Sequence, residues 1–571
     1  MSVTSSRPWL ASYAPGVPAD IDLPDESLTD MLDSAVTRFA DLVALDFYGA
    51  TTTYRQLGDQ VSRAAHALRD LGVGSGDRVA LVMPNCPQHV VAFYAVLRLG
   101  GIVVEHNPLY TAEELAHQLG DHGAEVAIAW DKVVPRLQEA DPTSALRTIV
   151  AVDLVAALPR SKRWALRLPV PKARAARAAM TGPAPGATPW ATLVASASPL
   201  AADHPRPVPS QTALLQYTGG TTGVPKGAIL THRNLRSNAA QGRAWVPGLQ
   251  DGQEVVYAVL PLFHAYGLTL CLTFAMSIGA TLVLFPRFDV DQTLDAVRRR
   301  PATFLPGVPP IYQALADAAQ ARGVDLHSIR YAISGAMSLP VATVDLWESV
   351  TGGLLVEGYG MTETSPVSLG NPVAGSRRPG TVGVPFPSTE VRIVDPDDLS
   401  TDRALGEPGE LLVRGPQVFT GYWGRPDDTD AVLLEGGWIR TGDIVVMDAD
   451  GFIRVVDRIK ELIITGGFNV YPSEVEEALR QAPGVSDAAA VGLPDGSGGE
   501  RVVAAVVAEG DARLDPDELR EATRAHLAGY KVPREVFIVD ELPRSMIGKV
   551  LHRAVRDQLL DMTDVNRDRP R

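Results

Sequence analysis

The chain has 571 residues, too many for one ordinary hydrophobic core, so several subdomains are expected. Hydrophobic residues make up 46% and charged residues 21%, a globular composition, while the net charge of −15 argues against a general nucleic-acid binder. Only Cys86 and Cys271 are present, which excludes a disulfide framework and gives no cysteine-based metal spacing. The start, "MSVTSSRPWLASYAPG", lacks the basic and apolar regions of a secretory signal, and a reducing cytoplasmic setting is expected.

The first third alternates helical and strand patterns. "TYRQLGDQVSRAAHALRDLG" places Leu57, Val61, Ala64, Ala65 and Leu68 at helical spacing and ends at Gly72. "DRVALVMPN" reads as a buried strand, "QHVVAFYAVLRLG" as a helix and "GIVVEHN" as a strand. This is the rhythm of a mostly parallel sheet covered on both faces. Residues 159–180 interrupt it with seven basic and no acidic residues, interleaved with Trp164, Leu166, Leu168 and Val170. Such a segment suits contact with an anionic membrane surface; a solvated Ala/Arg-rich helix is the alternative.

The stretch "LLQYTGGTTGVPKGAILTHRN", Leu214 to Asn234, surrounds one lysine with small and hydroxyl residues. It is not a Walker-type loop, because Lys226 is followed by Gly227 rather than by Ser or Thr and no helix opens there. A strand, a Gly/Thr loop and a second strand are expected, with a helix starting near Thr231. Backbone N–H groups and the hydroxyls of Thr218, Thr221 and Thr222 would suit an anion; a plain surface hairpin is the competing reading.

From Val255 to Pro286 no Lys, Arg, Asp or Glu occurs. Thr, Ser and Gly interrupt this run, so a buried helix followed by the strand "ATLVLF" is expected rather than a membrane span. The α/β rhythm continues to about Pro385. Short strands and turns follow from Glu390 to Val456, the pattern of a small antiparallel sheet or barrel. Beyond Asp457 the text reads as a compact α+β unit: a helix over "PSEVEEALRQAPG" with Ser473 and Glu476 placed as a capping box, two strands, and a helix from about Pro516 to Ala528.

Four further stretches give the Gly/Thr loop its meaning. They are "EGYGMTETSP" (Glu357 to Pro366), "GWIRTGD" (Gly437 to Asp443), "VDRIKELIITGGFNVYPSEVE" (Val456 to Glu476) and "PRSMIGKVLHR" (Pro543 to Arg553). In this order and spacing they closely resemble the acyl-adenylate-forming superfamily, which includes acyl-CoA synthetases, the adenylation domains of peptide synthetases and luciferases. The resemblance covers nearly the whole chain. It implies an α/β fold: an N-terminal domain of layered α/β sheets (1–456, with a small β-barrel at about 390–456), a hinge at 457–460, and a mobile α+β C-terminal domain (461–571).

The resemblance also implies roles. Thr218, Gly219, Gly220, Thr221, Thr222, Gly223 and Lys226 would hold the β- and γ-phosphates of ATP, and Thr218 with Glu363 would hold Mg2+. Gly335, Ala336, Glu357, Gly358, Tyr359, Gly360, Met361 and Thr362 would wall the nucleotide, and Asp443 and Arg458 would grip the ribose. Lys549 would act in adenylation as a movable positive charge, and Lys460 matches the hinge. Gly466, Gly467 and Phe468 would face coenzyme A (CoA) after domain rotation, with Tyr530 and Lys531 as weaker candidates. His264 resembles the residue gating the carboxylate pocket; a satisfied core histidine competes with that reading.

The pocket text is apolar and shows no charged group committed to an amino acid, which favours a hydrophobic acid. The detailed wording looks most like bacterial long-chain fatty acid–CoA ligases, with a homodimer and peripheral contact at the inner face of the cell membrane as further implications. The alternatives are a CoA ligase for an aryl or other hydrophobic acid, a ligase loading a carrier protein, and a non-catalytic acyl- or nucleotide-binding protein.

Overall fold

The computed structural model describes residues 7–23, 25–140, 145–218, 225–465, 468–495, 500–524, 526–545 and 548–567, without the side chains of 460, 468, 469 and 563–567. The chain packs as two compact units. One comprises Pro8–Glu390 with Val413–Ile439, and the other includes Val391–Leu412 and the chain from Arg440 onward.

The larger unit is built on two sheets. In the seven-stranded sheet the order is Thr188–Pro189, Thr148–Val152, Val126–Trp130, Arg78–Val82, Ile102–Glu105, Thr212–Thr218 and Lys226–Thr231. Every pairing is parallel except the last, which is antiparallel and sets Thr218 opposite Lys226. Tyr54–Asp70 forms a helix because Thr53 and Gln56 make a reciprocal capping box, and its apolar stripe, including Leu57, Val61 and Leu68, is buried. Thr231 caps the helix His232–Trp245 in the same way, its side chain accepting from Asn234 N.

The nine-stranded sheet has a parallel centre formed by Leu354–Gly360, Tyr331–Ser334, Phe304–Gly307, Val255–Ala258, Thr281–Leu284 and Val43–Phe47, in that order, with antiparallel strands at its ends. The uncharged run after Val255 is a strand, a buried helical segment over 265–277 and the strand Thr281–Leu284, as its pattern anticipates. Inside that segment Leu268–Thr273 takes a π-helical turn, a departure that often marks a functional site. No helix among the described residues is long and apolar enough to cross a membrane.

Glu390–Val394, Gly409–Arg414, Trp438–Met447 and Ile453–Arg458 belong to one five-stranded sheet, and most of their residues fall in the second unit. A three-stranded sheet, Val485–Pro494, Glu500–Ala508 and Glu535–Val539, alternates its side chains strictly. Ala488, Ala490, Ala504 and Val506 face a core shared with the helices Pro472–Arg480 and Pro516–Arg524. Ala489, Val491, Val503 and Ala505 face the opposite core, closed by the helix His552–Arg567. The expected capping box at Ser473 does not form. Tyr471 is the N-cap, and Ser473 sits inside the helix, its hydroxyl donating to Val456 O at 2.6 Å. Pro472 takes the first helical position, where a missing N–H costs nothing, and this shifts the start upstream of Ser473.

Candidate nucleotide and acyl site

In the larger unit the ends of several strands converge on a cleft. Gly335, Ala336, Gly358, Tyr359, Gly360, Met361 and Thr362 line it, together with His264. The remaining wall is largely apolar and includes Tyr266, Leu270, Ile333 and Val367, so one cavity offers both backbone-rich and greasy surfaces. Ala336 in its wall, and Ser365 next to the lining residue Pro366, are non-glycine residues with φ of 65° and 69°, conformations that cost on the order of 1–3 kcal/mol each and cluster at functional sites. Ser334 Oγ is buried at the wall with no hydrogen-bond partner among the described residues.

His264 caps the first turn of the buried helix, its Nδ1 accepting from Tyr266 N at 3.2 Å. That bond leaves Nε2 as the protonated nitrogen of a neutral ring. Burial pushes the imidazole pKa down to about 4, so the ring stays neutral across the physiological range. Tyr266 is locked in turn, its hydroxyl donating to Ile333 O at 2.6 Å.

Glu357 departs from its predicted companions. Side chains alternate along the strand Leu354–Gly360, and the Glu357 carboxyl lines a second, smaller cavity with Asn371 and Arg377 instead of the main cleft. Burial there pushes its pKa up to about 8, only partly offset by a hydrogen bond from the Leu339 backbone.

The polar residues of the Gly/Thr hairpin separate into seen and unseen. Gly219, Gly220, Thr221, Thr222 and Gly223 lie outside the described residues. Thr218 ends one strand and Lys226 begins the next, directly opposite. Lys226 Nζ is paired with Asp428 and stands 5.5 Å from the centroid of the Tyr422 ring. Glu363 occupies the short turn Thr362–Thr364, is 6% exposed, and accepts from Tyr422 Oη at 2.6 Å. Glu363 and Thr218 offer the hard oxygen donors that suit Mg2+. No cluster of three or more His, Cys, Asp or Glu side chains able to cage a metal occurs among the described residues. That donor set fits an ion that takes one or two protein oxygens and draws the rest from phosphates and water.

The second unit carries its own group of candidates. Asp443 and Arg458 pair across neighbouring strands, with Arg458 Nε 3.0 Å from Asp443 Oδ1. Lys549, beside Gly548 (φ 83°), has its pKa lowered to about 8 by burial and by the Arg458 charge, against the opposing pull of Glu461 and Asp443. Lys460 lies in the turn Ile459–Glu461. Gly466 and Gly467 are outside the described residues, and Phe468 begins the strand Phe468–Val470. Lys531 is paired with Glu474 and stands 5.9 Å from the ring of the exposed Tyr530.

A pattern for AMP-binding enzymes matches residues 32–423, and one for the AMP-binding enzyme C-terminal domain matches residues 474–549. The chain belongs to the AMP-binding enzyme family. It is 42% identical to a long-chain-fatty-acid–CoA ligase of Yersinia pestis, covering 96% of this chain and 98% of that protein. It is 38% identical to a long-chain-fatty-acid–CoA ligase of Bacillus subtilis, over 97% and 98%. Among solved structures, ATP-bound MatB from Rhodopseudomonas palustris superposes with a TM-score of 0.78 at 30% identity, covering 94% of this chain and all of that one.

Within this AMP-binding enzyme the segment Tyr422–Asp428 touches two predicted phosphate-site residues, and sequence reasoning missed it. Tyr422 is 59 positions from Glu363, and Asp428 is 202 from Lys226. No local spacing joins such pairs. The one available signal was an aromatic residue after Gly421 followed by the helix-starting "RPDD".

Proposed function

We propose that this chain is an AMP-forming acyl-CoA synthetase acting on a fatty acid of medium to long chain. In the first half-reaction a carboxylate oxygen attacks the α-phosphorus of ATP. The bond from α-phosphorus to the bridging oxygen breaks, and pyrophosphate leaves. In the second, the CoA sulfur attacks the acyl carbon and AMP leaves. The observation that carries this reading is a cleft lined both by glycine-rich backbone and by apolar side chains, in a chain matching fatty acid ligases over nearly its full length.

Each residue's role follows from its chemistry. Lys226, with the Gly219–Gly223 loop and Thr218, binds the β- and γ-phosphates. Glu363 and Thr218 hold Mg2+, which when bound neutralises charge on the phosphate oxygens. Gly335, Ala336 and Gly358–Thr362 wall the nucleotide, while Glu357 supports that wall from behind. Asp443 accepts hydrogen bonds from the ribose hydroxyls, steadied by Arg458. Lys549 offsets the negative charge gathering between the carboxylate and the α-phosphate. His264, neutral and fixed, closes the carboxylate end of the pocket. Rotation of residues 461–571 about Lys460 then withdraws Lys549 and brings 466–468 to the thioester step, with Tyr530 and Lys531 touching CoA.

The setting is cytoplasmic, with peripheral membrane contact through residues 159–180 and with homodimer formation. The helices Arg160–Ala165 and Pro171–Met180 bury no residue, and Trp164 is 69% exposed beside seven basic side chains. A panel of acids from acetate to oleate and benzoate, assayed for pyrophosphate release with and without CoA, tests the reading. Long-chain acids should dominate and CoA should be consumed. Preference for benzoate would favour the aryl-acid alternative, and no release with any acid would end the enzymatic reading. Binding to anionic but not neutral vesicles, lost at high salt, tests the membrane contact.

A further inference from the structure

Lys226 already has an anion. Its ammonium is paired with Asp428, and the centroid of the Tyr422 ring stands 5.5 Å from it. Tyr422 and Asp428 belong to one short stretch, and the Tyr422 hydroxyl also donates to Glu363. This stretch therefore holds two residues assigned above to the phosphates and their metal.

The stretch is anchored without Asp428. Tyr422 N donates to Thr429 Oγ1 at 2.9 Å, and Trp423 N donates to Gly227 O at 2.8 Å. Arg425 donates to Asp121 Oδ1 at 3.1 Å, and the other oxygen of Asp121 accepts from Tyr217 Oη at 2.6 Å. The network thus ends on Tyr217 and Gly227, the immediate neighbours of Thr218 and Lys226. Asp428 stands apart from these anchors. Its side chain is 35% exposed, and the group it meets is Lys226.

We propose that Asp428 is an internal competitor of the terminal phosphates of ATP for Lys226. Its carboxylate holds the ammonium before ATP binds, yields it to the more highly charged polyphosphate, and recovers it as pyrophosphate departs. The proposal rests on the assignment of Lys226 to the phosphates. A partly exposed carboxylate–ammonium pair is weak, so exchange is easy, and lysine's flexible stem lets the charge change partners. A group that must leave its internal partner before binding shows reduced apparent affinity, in proportion to the fraction of time it is free. For a leaving group that has to be released, weaker retention speeds turnover.

Calorimetric titration of the full-length protein with ATP, pyrophosphate and AMP at fixed Mg2+ tests this, comparing the parent with Asp428→Asn and Lys226→Met. Asp428→Asn should tighten ATP and pyrophosphate by about three- to tenfold and leave AMP unchanged. Unchanged or weaker pyrophosphate binding, with AMP binding intact, would overturn the proposal. If Asp428→Asn loses AMP binding through misfolding, Asp428→Ser carries the same comparison under the same criteria. Lys226→Met should weaken ATP and pyrophosphate. If it does not, the phosphate assignment of Lys226 fails, whereas a weakened Lys226→Met beside an unaltered Asp428→Asn sinks only the competition.

Discussion

Asp443 and Arg458 face each other in register across two antiparallel strands, and their side chains meet at 3.0 Å. Lys549 lies in the field of both. Burial and the Arg458 charge lower its pKa to about 8, while Asp443 and Glu461 pull it back up. A protonated lysine is the form that stabilises negative charge, so the adenylation half-reaction should fall as pH rises through about 8. Asp443→Asn removes an attractive charge and should move that limb to lower pH; Arg458→Met removes a repulsive one and should move it higher. Lys549→Ala should slow adenylation by about 100- to 1,000-fold, the usual scale for losing one such group. Pyrophosphate release followed from pH 6 to 10 checks all three variants, and a limb that ignores both charge changes would detach it from Lys549.

Glu363 is a buried carboxylate that accepts a hydrogen bond from Tyr422. Hydrogen bonds to charged groups contribute about 1.5–3 kcal/mol. Tyr422→Phe should therefore lower thermal stability measurably while leaving the fold intact by circular dichroism. Glu363→Gln should raise the Mg2+ concentration needed for half-maximal ATP binding, a shift that a purely structural glutamate would not produce.

Glu357 gives a stability prediction with a definite sign. Its folded pKa of about 8 lies above the ordinary 4.5 of an unfolded glutamate, because burial penalises the carboxylate. Between those values the folded state binds a proton that the unfolded state lacks, so this group makes stability fall as pH rises from about 4.5 to 8. Glu357→Gln keeps the shape and removes the titration. The variant should gain melting temperature over the parent at pH 8 and show no gain at pH 4.5. An equal offset at both pH values would mean that the side chain titrates alike in the folded and unfolded states.

The sequence was most legible where structure is local. The capped helix after Thr231, the strand pair around the Gly/Thr loop and the helix starting at Tyr54 depend on neighbours within a few positions. The two-faced sheet of the second unit follows from strict alternation between Ala488 and Val491. Ser473 failed as a cap because Pro472 competes for the helix start, a local conflict whose winner is settled by tertiary bonds to Val456 and Asp457. The Lys226–Asp428 and Glu363–Tyr422 contacts were illegible for another reason. Each joins segments brought together only by the fold, and neither Asp428 nor Tyr422 falls at a spacing that announces chemistry. Glu357 belongs to the same motif as Gly358, but alternation along a strand turns adjacent residues to opposite faces, and motif membership does not show which face a residue takes.

The glycines of "EGYG" are required for different reasons, and alanine separates them. A Cβ on Gly360 would stand 1.7 Å from Pro366 O and 2.7 Å from Pro366 C, both backbone atoms that cannot turn aside. Gly360 pairs with Val367, so relieving the clash means breaking the strand contact that shapes the cleft floor. Gly360→Ala should lose nucleotide binding together with several degrees of melting temperature, since forced overpacking costs about 1–3 kcal/mol or more. A Cβ on Gly358 meets Ile333 Cγ2 at 3.5 Å, an ordinary contact. Gly358→Ala should keep its melting temperature and instead weaken ATP, because the added methyl takes space on a wall of the cleft. Melting curves read beside ATP titrations distinguish the two, and equal melting temperatures for both variants would refute the steric argument for Gly360.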